Sequence, residues 1–344
     1  MVFAPGDKYP DVLPGIDREF IGYGLDKPDP QWPGGAKVAI SFVFNLPYGA
    51  ERSLENGDEG GETMFPDIPI RVQPKGKRFE MLESAYNYGT REGLPRILRL
   101  FAKYNRKATW NVCTQGLAKM PYWVKPLVAS PHEISCASKR YIDYLRVEPE
   151  VEDAHVQEAI ETLQSLTGDK TLPRGWNIDR CSNISPLLYT RAHADRGLPQ
   201  PYTSDSTADE LPFWVPSPLV FDGKEDKGLL VVPMSLDTGD FRFLDSGSGW
   251  ASPKHYFEYL CDTFNVLHAE GVAGEPKMMT IQLHPHIIGH GGRLYWLEEF
   301  LKYLEGKGAD AWVARRDEIA DHWAKRFPYD PKTAMGLTKH PECW

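Results

Sequence analysis

Cysteine is scarce in this 344-residue sequence. The five cysteines are Cys113, Cys136, Cys181, Cys261 and Cys343, and no Cys-x-x-Cys pair is present. An odd number of scattered cysteines argues against a disulfide framework and favours a reducing compartment. The sequence also lacks an apolar run long enough to cross a membrane. Its first residues show no basic stretch followed by an apolar one, so we expect no secretory signal and a cytoplasmic location.

Positive charge is in deficit as well. The chain has 39 Lys and Arg against 48 Asp and Glu, which gives a formal net charge of −9. This balance argues against a nucleic-acid partner. The sequence also contains no P-loop, no GxGxxG, no GxSxG and no HExxH motif. Their absence argues against the enzyme classes that use these motifs. With 41% hydrophobic residues, the chain can still bury a core.

Strand-like and helix-like segments alternate along the chain. Residues 37–44 form a nearly unbroken apolar run, which is typical of a strand buried on both faces of a parallel sheet. The chain contains roughly seven or eight strand–helix units in all, so we predict an α/β fold with a closed or nearly closed barrel. A doubly wound open sheet is the alternative. We predict one barrel domain over residues 36–326, with an irregular lead-in at 1–35 and a C-terminal tail at 327–344.

Two segments follow predicted strands at the end where barrel active sites form. His284 ends an apolar strand and precedes a glycine-rich loop that contains His286. His284 can act as a general acid–base, whereas a hydrogen-bonded structural histidine is equally compatible with the spacing. Asn45 ends the first strand and can orient a substrate amide, but it cannot act as a base. Glu51 follows as a candidate base, with a solvated loop carboxylate as the alternative.

Two further segments carry candidate side chains. Asp209 and Trp214 place a carboxylate and an aromatic ring in one segment, a combination suited to a polar ring-shaped ligand. A capped turn that packs the tryptophan into the core is the alternative. Arg180 follows Asp179 after a strand-like stretch and can hold a carbonyl or carboxylate, or pair with a structural acid.

Taken together, these segments resemble the polysaccharide deacetylase superfamily, also called the NodB-homology or carbohydrate esterase family four. The branch most similar contains allantoinases of this type, cyclic imide hydrolases and peptidoglycan deacetylase-like proteins. The resemblance implies a NodB-type distorted barrel of about seven strands, amide C–N hydrolysis and a homotetramer. It covers about residues 15–325 and is carried by DREFIGYG (17–24), WPGGAKVAISFV (32–43), YNYG (86–89), HEI (132–134), IDY (142–144), DELPFW (209–214), LH (283–284) and ARRDEI (314–319).

The resemblance also implies roles for individual residues. His284 matches the general acid of the family, Arg180 matches its third-motif arginine, and Glu51 matches a later acidic residue of the allantoinase-like branch. The family norm is a divalent zinc ion. The aspartate pair that supplies the base and one metal ligand reads Asn45 and Leu46 here.

The histidine motif that supplies the other metal ligands in the family matches residues 135–141, which contain no His. We therefore predict no metal ligands. We expect a hydrolase of a non-peptide amide C–N bond, of the polysaccharide or chitooligosaccharide deacetylase type. A metal-independent cyclic amide hydrolase and a non-catalytic carbohydrate-binding barrel are the alternatives. The expected catalytic residues are His284, Glu51 and Arg180, and the expected substrate-binding residues are Asn45, Asp209, Trp214 and His286.

Overall fold

A computed structural model describes residues 8–9, 19–63, 75–244 and 249–335. The sequence segments 17–18 and 336–344, named above, lie outside these ranges. The helices are α1 (Glu80–Tyr88), α2 (Leu94–Lys103), α3 (Thr114–Lys119), α4 (Pro121–Val128), α5 (Pro149–Thr167), α6 (Ser185–Arg196), α7 (Pro253–Ala273), α8 (Pro285–Ile288), α9 (Gly291–Glu305) and α10 (Arg316–Arg326).

The described residues form one sheet of nine strands. They are β1 (Val38–Leu46), β2 (Thr109–Val112), β3 (Glu133–Cys136), β4 (Gly175–Trp176), β5 (Tyr202–Thr203), β6 (Phe213–Val215), β7 (Leu229–Val231), β8 (Lys277–Leu283) and β9 (Ala311–Val313). The order is β6-β7-β5-β4-β3-β2-β1-β8, with β9 paired to β1. Only β6 runs antiparallel to its neighbour. The predicted α/β fold is confirmed, and the barrel takes the form of a curled sheet.

Strand β1 is the centre of this sheet. All nine of its residues are buried, as the unbroken apolar run predicts. One side of β1 pairs with β8 from Val38 to Phe44. The other side pairs first with β9 and then, from Val43 onward, with β2. The register places Phe44 opposite Leu283, so the residues that follow, Asn45 and His284, emerge side by side at the carboxyl edge of the sheet.

The long side chain of Arg316 bridges the seam between β7 and β8, which do not pair as strands. Its Nε donates to Ser204 Oγ at 2.9 Å, and its Nη1 donates to Thr280 Oγ1 at 3.2 Å. Nη2 donates to the carbonyl oxygens of Val232 and Pro233. Burial lowers the pKa of Arg316 to about 10, so the guanidinium stays charged near neutrality. Arg316 therefore supplies the hydrogen bonds that a strand pair would otherwise make.

The helices cover this sheet with apolar faces. In α2, Leu94, Ile97 and Phe101 are buried at helical spacing. Helix α7 begins after Ser252, whose hydroxyl accepts the backbone N–H of His255 and so caps the helix. Helix α6 begins at Ser185 itself, whose hydroxyl contacts Glu152. No helix in the described ranges is long and apolar enough to cross a membrane.

Arg316→Met tests the role of this side chain in closing the seam. Loss of the guanidinium leaves the carbonyls of Val232 and Pro233 buried without these donors, so we expect the free energy of unfolding to fall by about 3 kcal/mol or more. Urea unfolding followed by circular dichroism measures this change. Arg146→Gln removes an arginine whose side chain is 79% exposed and serves as the control, with an expected change below about 0.5 kcal/mol. Equal stability of both variants would contradict the seam interpretation.

Candidate active site

His284 lies at the carboxyl end of β8, and Asp240 holds it from two directions. The Asp240 Oδ1 atom is 2.8 Å from His284 Nδ1, and Oδ2 accepts the His284 backbone N–H at 2.7 Å. Both residues are at most 2% exposed. Burial raises the pKa of Asp240, and the neighbouring His284 offsets part of that rise. Two hydrogen bonds thus fix both the position and the ring orientation of the imidazole.

A chain of amides fixes the tautomer of His284. The chain starts at the backbone carbonyl of Asn177, which can only accept a hydrogen bond. The side-chain atom of Asn111 that lies 2.9 Å from this carbonyl must therefore be its donor, Nδ2. The same Nδ2 donates to Asn45 Oδ1 at 3.0 Å. The Nδ2 of Asn45 therefore faces His284 Nε2 at 3.2 Å. Because that amide is a donor, Nε2 is the acceptor and the ring proton sits on Nδ1, toward Asp240.

His286 forms a second wall of the site together with two tyrosines. Tyr48 accepts the backbone N–H of His286 at 2.9 Å, and its hydroxyl is 3.0 Å from His286 Nδ1. Burial raises the pKa of Tyr48 well above its usual value, so the phenol keeps its proton. The ring of Tyr86 stacks on His286 with centroids 4.8 Å apart. The His286 and His284 rings are themselves 5.9 Å apart, so the predicted His286 does lie beside His284.

Arg180 enters the same region from the end of β4. Its guanidinium lies 4.0 Å from the centre of the Tyr141 ring. Its Nη1 is 3.3 Å from Glu62 Oε2. Glu51 lies close enough to Tyr86 to raise the pKa of the Tyr86 phenol, although burial and Glu62 contribute more. Burial, with Glu62 as a smaller contribution, raises the pKa of Glu51 itself. The structure therefore brings Arg180 and Glu51 to the same group of side chains.

Several buried polar atoms in these strand-end loops make no hydrogen bond within the described part of the chain. They are Glu51 Oε2, Asn177 Nδ2, Arg180 Nη2 and Asp205 Oδ2. Buried polar groups in folded proteins are satisfied in the great majority of cases. Unpaired donors and acceptors that gather at the carboxyl edge of one sheet are typical of a site that binds a polar ligand.

Three comparisons with known proteins give the same answer. The family model for polysaccharide deacetylases matches residues 76–176. A Schizosaccharomyces pombe protein described as a candidate polysaccharide deacetylase is 36% identical over 301 residues, which is 87% of this chain and 93% of that protein. The chain belongs to the polysaccharide deacetylase family.

Two solved structures are similar over nearly the whole fold. An allantoinase is 37% identical, with a TM-score of 0.83, and the match covers 91% of this chain and 99% of the other. A Pseudomonas aeruginosa protein described as a candidate polysaccharide deacetylase is 35% identical, with the same TM-score and the same coverage. Membership in the polysaccharide deacetylase family, predicted above from sequence motifs, is thus confirmed.

A divalent metal is the norm in the polysaccharide deacetylase family, so we tested whether the residues present fit one. Leu46 is 1% exposed within the main apolar core, and Ala137 packs beside Ala50, Cys113 and Tyr141. Neither hydrocarbon side chain can bind a cation. Over residues 19–63, 75–244 and 249–335, no three His, Cys, Asp or Glu side chains are grouped to hold a metal ion. At the positions where the family resemblance implies metal ligands, Leu46 and Ala137 therefore provide no ligand for a zinc ion.

Two predicted substrate-binding residues make other contacts. The Asp209 carboxylate accepts the backbone N–H groups of Glu210 and Leu211 within its own turn. The indole of Trp214 donates to the Phe327 carbonyl at 2.8 Å and packs against Tyr329. The structure therefore does not bring Asp209 and Trp214 together with His284. The physical reason is that the turn and the segment after α10 already satisfy both side chains, as the capped-turn alternative anticipates.

Sequence reasoning missed Asp240, Asn111 and Tyr141. Asp240 lies in a short 3₁₀ segment, 44 residues before His284, where no periodic pattern marks it. Asn111 lies within β2, whose four residues are all buried. The one available signal was that a polar side chain inside a fully buried strand needs a partner. That signal applies to Asn111 and Asn45 alike, and their pairing follows from the adjacent register of β1 and β2.

The tautomer of His284 can be measured directly. We expect the ¹⁵N spectrum of the imidazole to show a proton on Nδ1 and none on Nε2 at a pH where the ring is neutral. Asn45→Asp places an acceptor opposite Nε2, so in this variant both ring nitrogens should carry protons. Loss of the resonances in His284→Gln assigns them. A neutral wild-type ring with its proton on Nε2 would contradict the amide chain described above.

Proposed function

We propose that this polysaccharide deacetylase family member hydrolyses a non-peptide C–N bond of an amide, with His284 as the catalytic acid–base. The observation that carries the proposal is the fixed His284 tautomer, with Nδ1–H on Asp240 and Nε2 directed at the amide of Asn45. An imidazole held in this way can take a proton on Nε2 while the carboxylate stabilises the resulting cation.

The proposed reaction needs one water and one histidine. Nε2 accepts a proton from water, whose oxygen bonds to the amide carbon. The imidazolium then returns the proton to the nitrogen as the C–N bond breaks, which yields a carboxylic acid and an amine. The 3.2 Å contact between Asn45 and Nε2 is at the upper end of the hydrogen-bond range, so an incoming water can replace it. Arg180, whose buried Nη2 has no hydrogen-bond partner among the described residues, donates to the carbonyl oxygen in this scheme as negative charge develops.

The first candidate substrate is an N-acetylated sugar oligomer. Support comes from the family itself and from the 36% identical S. pombe relative described as a candidate deacetylase. A Helicobacter pylori peptidoglycan deacetylase is more distantly similar, at 23% identity over 258 residues, which is 69% of this chain and 85% of that protein. In this reaction the leaving group is a sugar amine, a poor leaving group that depends strongly on protonation by His284.

The second candidate substrate is a cyclic amide such as a ureide or imide. Support comes from the 37% identical allantoinase and from the side chains around His284, which do not fit a metal. A metal ion generates the nucleophile at neutral pH in many hydrolases. A strained or activated ring amide needs less help of this kind than an acetamide. We further propose cytoplasmic action on a soluble substrate and, by family resemblance, assembly as a homotetramer.

Turnover assays with chitooligosaccharides, allantoin and succinimide test the function. We expect His284→Gln and Asp240→Asn to lower kcat by about 10²- to 10⁴-fold on whichever substrate the wild type hydrolyses. The first variant lacks the proton acceptor, and the second lacks the carboxylate that orients it and stabilises its cation. Asp195→Asn, at a carboxylate whose side chain is 59% exposed, is the matched control and should retain full activity. Wild-type activity in His284→Gln would disprove the proposed role of His284.

Metal analysis provides a separate test. Since the described donor set does not fit a cation, we expect the purified protein to hold much less than one zinc per chain and to keep its activity after dialysis against a chelator. Elemental analysis and the turnover assay measure the two quantities. Activity lost on chelation and restored specifically by zinc would overturn the ligand argument and would favour the deacetylase reaction.

A further inference from the structure

Asp179 has an unusual backbone conformation that the proposed reaction does not explain. Its φ angle is +67°, in the left-handed region that non-glycine residues rarely occupy, although Asp and Asn tolerate it best. Its N–H donates to Asp205 Oδ1 at 2.8 Å. Asp205 follows β5, the strand next to β4 in the sheet. The loop after β5 therefore holds the loop after β4 in this conformation.

Asp179 lies two residues after Asn177, whose carbonyl begins the hydrogen-bond chain to His284. Asp179 is exposed to solvent and interacts electrostatically with His284, Arg180 and Tyr141. Residues in uncommon backbone conformations cluster at binding and catalytic sites, where the surrounding structure maintains them.

Asp179 and Arg180 offer complementary groups at adjacent positions. A carboxylate can only accept hydrogen bonds and a guanidinium can only donate them. Both side chains interact with Tyr141, and Arg180 has an Nη2 without a partner among the described residues. An amide carries one N–H donor and one carbonyl acceptor. In a ring amide both point to the same side, whereas in an open-chain N-acetyl group they point to opposite sides.

We propose that Asp179, positioned by Asp205, is a specificity-determining residue that accepts the N–H of a ring amide whose carbonyl oxygen contacts Arg180. This inference rests on the proposed function and selects the cyclic amide between its two substrate candidates. Asp179 takes no part in bond making in this scheme. Its contribution is to the affinity for a substrate that has an N–H on the same side as the reacting carbonyl.

Binding of two matched probes tests the inference without any need for turnover. Succinimide has the ring N–H and N-methylsuccinimide lacks it. We expect the wild type to bind succinimide about 10-fold or more tightly than its N-methyl derivative, since a hydrogen bond to a charged group is lost in the latter. Asp179→Asn tolerates the left-handed conformation and keeps the size, but it removes the charge. In this variant the discrimination should fall to within about 2-fold, as measured by ligand-observed NMR titration.

Asp205 variants separate positioning from direct contact. Asp205→Asn keeps an oxygen that can accept the Asp179 N–H and should preserve the discrimination, whereas Asp205→Ala should reduce it. Asp195→Asn is again the control for loss of a carboxylate. Equal binding of both probes by the wild type, binding of neither, or unchanged discrimination in Asp179→Asn would each overturn the inference. Tight binding of N-acetylglucosamine trimer that depends on Asp179 would assign the residue to an open-chain amide and overturn the ring-amide selection.

A failure of this inference can be told apart from a failure of the proposed function. If succinimide discrimination disappears in Asp179→Asn while His284→Gln retains wild-type turnover, the recognition role stands and the acid–base role of His284 does not. If His284→Gln is inactive and Asp179→Asn discriminates like the wild type, the opposite holds. In turnover assays, Asp179→Asn should raise KM by about 10- to 100-fold and change kcat little, because it removes binding shared by ground and transition states.

Discussion

The hydrogen-bond chain from the Asn177 carbonyl to the Asp240 carboxylate is the constraint on which the candidate site depends. It begins at an atom that can only accept and ends at a group that accepts two N–H bonds from His284. Between these ends, each amide has a single possible orientation. The tautomer of His284 is therefore set before any substrate binds. It depends on the positions of residues at the ends of β1, β2 and β8 and of Asn177 after β4.

That chain follows the carboxyl edge of the sheet from the residue after β4 to the residue after β8, through Asn111 on β2 and Asn45 on β1. Arg316 connects the two ends of the sheet at the seam between β7 and β8, where side-chain donors take the place of strand pairing. A buried guanidinium is costly unless its donors are satisfied, and here Ser204, Thr280 and two backbone carbonyls accept from it. The closure of the fold and the geometry of the site are thus linked through the same few strands.

Much of the fold could be predicted from the sequence because its central strands are long and fully buried. Strands β1 and β8 are long and mostly apolar, and every one of their residues is buried. Their parallel register brings Asn45 beside His284. Strands β5 and β6 have two and three residues, too few for any periodic pattern, and they were not predicted. Asp240 and Asn111 were missed for a related reason: their role arises from contacts across 44 and 66 residues that local patterns do not encode.

The replacement of a carboxylate by Asn45 has a consequence beyond the loss of a base. A carboxylate opposite Nε2 would draw a second proton onto the imidazole and make His284 a cation between two anions. The amide of Asn45 instead donates to Nε2, which makes Nε2 an acceptor. By family resemblance, position 45 is occupied by a carboxylate base. Here Asn45 is not a base, but its amide leaves Nε2 of His284 as an atom that can accept a proton. A single replacement thus removes the carboxylate as proton acceptor and makes His284 the acceptor instead.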